Sequence, residues 1–452
     1  MSNRAHTATD YARVIARRNP ALYAALAYAG LSLVGAIALM LPLTHEANLA
    51  KAVGFIDALF ISTSAVSTTG LVTLDPGTTF NLAGEIVILV LLQIGGVGFM
   101  TLMSFAYLVM RDRLSSAQRS LTRAGFGLSS AFDVATFVRQ VVIYTLVLET
   151  IGAIALAWMF ASAGVADPVW NGIFHSVSAF CTAGFSLYAT SLEGFRDNPG
   201  ILLVVAALSY AGAMGFVVVA EMAEWMTRRK PSLAPTTKLI VLVSAGLCVL
   251  GTGFLYVFEP TIAALPAEQR LTNAFFQAMT ASTTVGFNSV PIGALAPASI
   301  IFLYLLMFVG ASPSGTGGGL KTTTVAVLVA TAWASAMGRD AVVTAGVRIP
   351  PVRVQQATST LVIGLLVVFT ALIALDLTGN HAFDKALFEI FSALGTVGLS
   401  MGITGELNDA GKLIITAVMF IGRVGILSFF VAFALAVRSD GDVERVERDV
   451  IL

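Results

Sequence analysis

The sequence predicts an all-α integral membrane protein: four repeats of helix, short re-entrant pore helix and helix (M1–P–M2), giving eight transmembrane helices and four pore helices around one pseudo-fourfold axis. Three observations predict it. Of 452 residues, 57% are hydrophobic and only 12% charged, against about 25% charged in an ordinary soluble domain. Eight apolar runs are long enough to cross a bilayer, which takes about 20 residues. Between the members of each successive pair lies a shorter semi-polar stretch, and the four stretches resemble one another.

The eight runs are Ala21–Leu43, Asn81–Met110, Ala135–Ala163, Gly200–Met226, Lys238–Phe258, Ala298–Ala336, Val354–Thr378 and Gly411–Val437. The first follows Arg13, Arg17 and Arg18. It is longer than the h-region of a cleaved signal peptide and lacks an obvious small-residue cleavage site, so it reads as a retained helix. The chain divides into repeats at 21–110, 111–226 with its preceding cytoplasmic loop, 227–336 and 337–437, with tails at 1–20 and 438–452.

The four semi-polar stretches, Gly54–Thr79, Asp167–Leu192, Leu271–Val290 and Ala382–Ile403, share a motif opened by Phe60, Phe174, Phe276 and Phe388, and each phenylalanine stands ten residues before a glycine. Each glycine closes a Thr-x-Gly: Thr68-Thr69-Gly70, Thr182-Ala183-Gly184, Thr284-Val285-Gly286 and Thr396-Val397-Gly398. The glycines are 114, 102 and 112 residues apart, a period that marks an internal repeat. Each stretch is apolar for little more than ten residues, which suits a re-entrant helix and not a span.

Charge sets the orientation. Of 26 Lys and Arg, 19 fall in the tails and the loops between repeats, five on the side of the re-entrant stretches, and two, Lys321 and Arg423, inside apolar runs. By the positive-inside rule both termini are cytoplasmic and the re-entrant stretches enter from outside. The outer connections carry acids such as Asp57, Asp75, Glu193 and Glu259. These read either as a vestibule that raises local cation concentration or as ordinary solvated loop residues.

Non-helical backbone at membrane depth survives only where protein covers it or a wet cavity receives it. Four Thr-x-Gly turns from parallel repeats can line one shared cavity, with carbonyl oxygens replacing the water around an ion. Each pore helix aims the negative end of its dipole at that cavity, which favours cations. The turns resemble the Thr-Val-Gly core of potassium-channel filters. Helix-packing glycines are the bland alternative, but those sit inside spans at small-xxx-small spacing.

The sixth run is interrupted by Gly310-Ala-Ser-Pro-Ser-Gly315-Thr-Gly317-Gly318-Gly319-Leu-Lys321, a composition that does not hold a helix. Following the third turn, the segment reads as a gate below it, or as a passive kink. A phosphate-binding loop fails here, since Leu320 precedes Lys321 and membrane helices flank it. Arg423 lies mid-way along the last run. It is expected either to project toward the cavity as an electrostatic barrier or to pair with Glu149, Glu85 or a carbonyl. Lys321 is expected to snorkel or to cap loop carbonyls. Zero net charge argues against a nucleic-acid partner. The two cysteines and four histidines form no metal or redox motif, and no catalytic arrangement stands out.

On the four turns, the Gly-Gly-Gly-Leu-Lys-Thr-Thr-Thr segment and Gly422-Arg423, the chain resembles the Trk/Ktr/HKT superfamily of potassium transporters over residues 21–437. About 20 residues precede the first apolar run, where Trk-type subunits typically carry two further helices, so the Ktr-type ion-conducting subunit is the nearer likeness. The resemblance implies potassium uptake across a bacterial inner membrane, with K+ held at the four filter turns and Na+ as a stimulating ion. It implies a homodimer in lipid, regulated by a cytoplasmic RCK-type ring that binds ATP, ADP or NAD(H). It maps the gate to Gly310, Gly315, Gly317, Gly318, Gly319 and Lys321, and the pore arginine to Arg423. In that superfamily a serine at the first filter glycine marks sodium-selective plant relatives, and Gly70 therefore favours potassium. Thr69 and Ala183 stand where valine is common. Two alternatives are a sodium or mixed-cation transporter of the same fold and the potassium-binding subunit of a P-type ATPase.

Overall fold

The computed structural model describes residues 20–46, 52–111, 134–313 and 315–430. The predicted tails, except Pro20, and the loop 112–133 lie outside the described residues, and so do ten of the 19 basic residues that set the predicted orientation.

Among the described residues, helices of 12 residues or more carry the architecture. They are α1 (Pro20–Leu39), α2 (Phe55–Val66), α3 (Leu82–Arg111), α4 (Val134–Ser162), α5 (Pro168–Phe180), α6 (Pro199–Met226), α7 (Pro235–Phe258), α8 (Ala267–Ser282), α9 (Pro297–Phe308), α10 (Thr322–Ala336), α11 (Pro351–Asp376), α12 (Phe383–Gly395) and α13 (Asp409–Val424). Proline opens α1, α5, α6, α7, α9 and α11, where its missing N–H costs nothing and its fixed φ suits the first turn. Asn198 caps α6 by accepting from Ile201 N, and Asn408 caps α13 by accepting from Gly411 N.

Among the described residues, five helices are long and apolar enough to cross a membrane: Leu22–Leu39, Val138–Ser162, Pro199–Met226, Pro235–Phe258 and Pro351–Asp376. Leu82–Gly98, Pro297–Phe308 and Thr322–Ala336 are shorter apolar stretches. Large apolar side chains face outward along α1, α4, α7 and α11; Trp158 is 70% exposed and Leu242 71%. Water does not tolerate a surface of this extent, whereas hydrocarbon does.

The short helices sit inside. α2, α5, α8 and α12 each pack against the long helix before them (α1, α4, α7, α11) and the helix after them (α3, α6, α9, α13). Each following helix also touches the next short helix in the chain: α3 on α5, α6 on α8, α9 on α12, and α13 back on α2. The order closes on itself.

Three features depart from uniform helices. The sixth run is divided into α9 and α10 by an irregular segment. α6 bends at Gly215 (φ 77°, ψ 160°), a conformation that only glycine adopts freely. α13 ends at Gly425 (φ 93°) and helix resumes at 426. A two-residue antiparallel pair, Val343–Thr344 with Val347–Arg348, is a small exception to the all-helical prediction.

Candidate functional site

The four short helices end alike. Thr68, Thr182, Thr284 and Thr396 all take left-handed φ, at 52°, 51°, 60° and 50°. The residue after each threonine donates its N–H five residues back: Thr69 to Ser64 O (2.8 Å), Ala183 to Ser178 O (2.8 Å), Val285 to Thr280 O (3.1 Å) and Val397 to Ser392 O (2.8 Å). In three of the turns the threonine N–H also bonds three residues back, to Ala65, Ala179 and Ala393. This is a Schellman-type stop with threonine in the position that glycine normally fills. A left-handed non-glycine residue costs about 1–2 kcal/mol, so the side chain there must serve a purpose.

Gly70, Gly184, Gly286 and Gly398 follow with φ of 93°, 65°, 87° and 94°. They form a ring. A Cβ on Gly70 would collide with the Ala183 carbonyl oxygen, one on Gly184 with that of Val285, one on Gly286 with that of Val397, and one on Gly398 with that of Thr69. Each such Cβ would also crowd the Cα of the next glycine, and the fourth returns to the first. The structure thus brings all twelve Thr-x-Gly residues to one place.

The segment 310–321 packs directly against the threonines. Thr182 Oγ1 lies 2.9 Å from Thr316 Oγ1, Thr68 Oγ1 donates to Thr316 O at 3.4 Å, and Thr396 Oγ1 accepts from Gly318 N at 2.9 Å. A Cβ on Gly317 would strike Thr284 Oγ1. One loop therefore reaches all four turns. It is held from its other side by the bend in α6, whose freed carbonyls accept from the loop: Gly212 O from Thr316 N (3.1 Å), Ala213 O from Ser312 N (3.2 Å) and Met214 O from Ser312 Oγ (2.9 Å). Gly310 N donates to Leu320 O at 2.7 Å and closes the base of the loop. Lys321 Nζ donates to Gly317 O at 2.6 Å.

Arg423 is 1% exposed. Its Nη1 donates to Thr316 O and its Nη2 to Gly95 O, and its guanidinium lies 6.0 Å from the Tyr28 ring. The carboxylates considered as partners from sequence are engaged elsewhere: Glu149 accepts from Gln93 at 2.9 Å, and Glu85 accepts from Trp170 Nε1. The carbonyl alternative is the geometry observed.

On the opposite side of the ring, a cavity of about 440 Å³ is lined by the four glycines and by Asp75, Ser186, Tyr188, Glu193, Asn288, Ser400 and Thr404 among others. Of the acids singled out from sequence, Asp75 and Glu193 reach this cavity. Asp57 forms an ion pair with Lys412 at 2.6 Å, and Glu259 caps a turn by accepting from Thr261 N. Partial burial raises the Glu193 pKa above the ordinary glutamate value, while a hydrogen bond from Asn288 and the charge of Arg196 act to lower it.

Sequence reasoning missed two sets of residues. Thr316, between the glycines of the loop, is the point at which Thr68, Thr182 and Arg423 meet. Ser64, Ser178, Thr280 and Ser392 stand four residues after each shared phenylalanine. Ser64 Oγ accepts from Gly70 N (3.1 Å), Ser392 Oγ accepts from Gly398 N (3.0 Å), and Ser178 Oγ donates to Phe185 O (2.8 Å). A hydroxyl at one fixed position in all four stretches was a readable signal.

The sequence matches the TrkH family, described as cation transport protein, over residues 23–445. Ktr system potassium uptake protein B of Bacillus subtilis (strain 168) is 34% identical, covering 91% of this chain and 93% of its own. Potassium/sodium uptake protein NtpJ of Enterococcus hirae is 33% identical, covering 95% of each. The crystal structure of the potassium transporter TrkH from Vibrio parahaemolyticus superposes with a TM-score of 0.70 at 20% identity, over 92% of this chain and 84% of that one. That likeness establishes the fold.

Proposed function

The chain belongs to the TrkH family of cation transport proteins, and from that premise we propose that it carries potassium ions across the membrane through the ring of Thr-x-Gly turns. The single observation that supports this reading is the closed order of the four glycines, each against the next turn's carbonyl. Backbone oxygens from four turns around one axis can stand in for the hydration shell of a monovalent cation. The loop 310–321 lies against the threonine hydroxyls on the side away from the outer cavity, so it serves as the gate. Arg423 and Lys321 hold it in the docked state through Thr316 O and Gly317 O. Relatives named as parts of a Ktr system support a regulatory partner, read here as a cytoplasmic nucleotide-binding RCK-type ring acting on a homodimer. Both termini are placed in the cytoplasm on the charge argument.

Mixed potassium and sodium passage is the second reading. It is favoured by Thr69 and Ala183 in two of the turns and by the name of the relative from Enterococcus hirae. Flux into liposomes with potassium, rubidium, sodium and lithium, for wild type and Gly286→Ser, tests both. A potassium preference in wild type that collapses in Gly286→Ser is expected. An unchanged ion preference in a folded Gly286→Ser protein overturns the filter assignment.

A further inference from the structure

The four residues spanning each turn's outward exit, 69–72, 183–186, 285–288 and 397–400, are neither helix nor strand. Tertiary contacts must fix them, because a backbone without ladder bonds has no other restraint. In three of the four repeats, the residue immediately after the shared phenylalanine supplies such a contact. His175 Nδ1 lies 2.9 Å from Asn171 O, which can only accept, so in the neutral ring Nε2 accepts from Ser186 Oγ at 3.0 Å. Glu389 Oε2 accepts from Ser400 Oγ at 2.8 Å, and its Oε1 accepts from Thr404 Oγ1. Gln277 Oε1 accepts from Ser289 N at 3.4 Å. Ser186 and Ser400 each stand two residues past their filter glycine, and Ser289 stands three past.

All three side chains are fully buried. His175 is further packed against Tyr188, stacked at 5.1 Å, and edge-on to Phe160 at 5.5 Å. The hydroxyl ends at Ser186, Ser400 and Thr404 line the outer cavity, so the His175 and Glu389 contacts run from the core of a pore helix to the rim of the ring, while Gln277 holds the buried backbone at Ser289. The first repeat carries Ile61 at this position and Val72 two past its glycine, a pair that can form no such hydrogen bond.

We propose that His175, Gln277 and Glu389 are positioning residues that clamp the chain at the outer edge of three filter turns and thereby hold the ring at the spacing on which ion discrimination depends. The proposal rests on the filter reading above. It differs from simple satisfaction of buried polar groups because discrimination, and not only folding, must follow the hydrogen bond.

The test measures the potassium-to-sodium permeability ratio of the full chain in liposomes for wild type, Glu389→Met, Glu389→Gln, Ser400→Ala and Gly286→Ser. Glu389→Met, which keeps bulk but loses the hydrogen bonds from both Ser400 and Thr404, is expected to lower the ratio at least about tenfold, a factor of about ten being the scale of one buried hydrogen bond. Glu389→Gln retains an acceptor oxygen and is expected to stay within about twofold. Ser400→Ala should fall between them. A monodisperse Glu389→Met protein with the wild-type ratio, in a series where Gly286→Ser loses it, overturns the clamp and leaves the filter standing. Should Glu389→Met not fold, Ser400→Ala, which removes one oxygen atom, decides by the same criterion. A ratio unmoved by Gly286→Ser removes the filter reading, and the clamp with it.

Discussion

Replacing Arg423 by methionine is expected to speed potassium flux. The perturbation removes a guanidinium that is 1% exposed and donates to Thr316 O in the loop and Gly95 O in α3. Methionine keeps most of the stem volume and gives up the guanidinium's contact with the Tyr28 ring. The bond to Thr316 O joins Arg423 to the loop, and it must break when the loop leaves the threonines. A hydrogen bond from a charged donor contributes about 1.5–3 kcal/mol. At about 1.4 kcal/mol per factor of ten, the ratio of released to docked loop should rise about ten- to hundredfold. Removing the positive charge acts in the same direction, since it lowers any barrier to a cation passing that level. The assay is potassium efflux from liposomes holding purified protein without any added subunit. Arg423→Lys, which keeps the charge but offers one fewer planar donor pair, should lie between the two. A folded Arg423→Met protein with flux equal to or below wild type refutes the view that this arginine holds the loop shut.

Asp57 and Lys412, 355 positions apart, join the start of α2 to the start of α13 with side chains 22% and 13% exposed. A double-mutant cycle with Asp57→Asn and Lys412→Met, read by thermal unfolding in detergent, should give a coupling of about 1 kcal/mol; zero coupling means the pair does not help to close the ring. The raised pKa of Glu193 means that it gains a proton at a higher pH than an exposed glutamate does. Acidification should then strip negative charge from the outer cavity and raise the apparent KM for potassium, and Glu193→Gln should remove that part of the pH dependence while matching the acidic-side KM at neutral pH.

The turns were legible because their information is local. A phenylalanine, a hydroxyl, a threonine and a glycine recur at fixed offsets in four stretches, and the structure buries Phe60, Phe174, Phe276 and Phe388 completely. The partners of Arg423 were not legible in the same way. Every residue offers a carbonyl, so no residue type announces that Gly95 and Thr316 accept from it. A search for carboxylates drew attention to Glu149 and Glu85, which serve Gln93 and Trp170. The bend in α6 was hidden for a related reason. Gly212-Ala-Met-Gly215 lies inside an unbroken apolar run, and nothing in it marks the bend until the loop's donors are seen filling the carbonyls that the bend releases. Asp57 and Glu259 read as vestibule acids or as solvated loop residues, yet one is neutralised by a lysine from the far end of the chain and the other caps a short helix.

Threonine at the left-handed position is the local rule broken four times over, and such conflicts mark function. Glycine there would relax the backbone but leave no hydroxyl. With threonine, the last turn of each pore helix carries an oxygen on the inner side of the ring, where Thr316 and Gly318 meet three of the four. These hydroxyls dock the loop, and under the proposed function they also form the floor of the ion path. When the loop leaves, Thr68, Thr182 and Thr396 lose those partners together, and buried hydroxyls are costly to leave unpaired. Under the proposed function an arriving ion or water would replace them. On that reading, ion occupancy of the ring and release of the loop would be linked through one set of atoms, which a glycine-only turn could not provide.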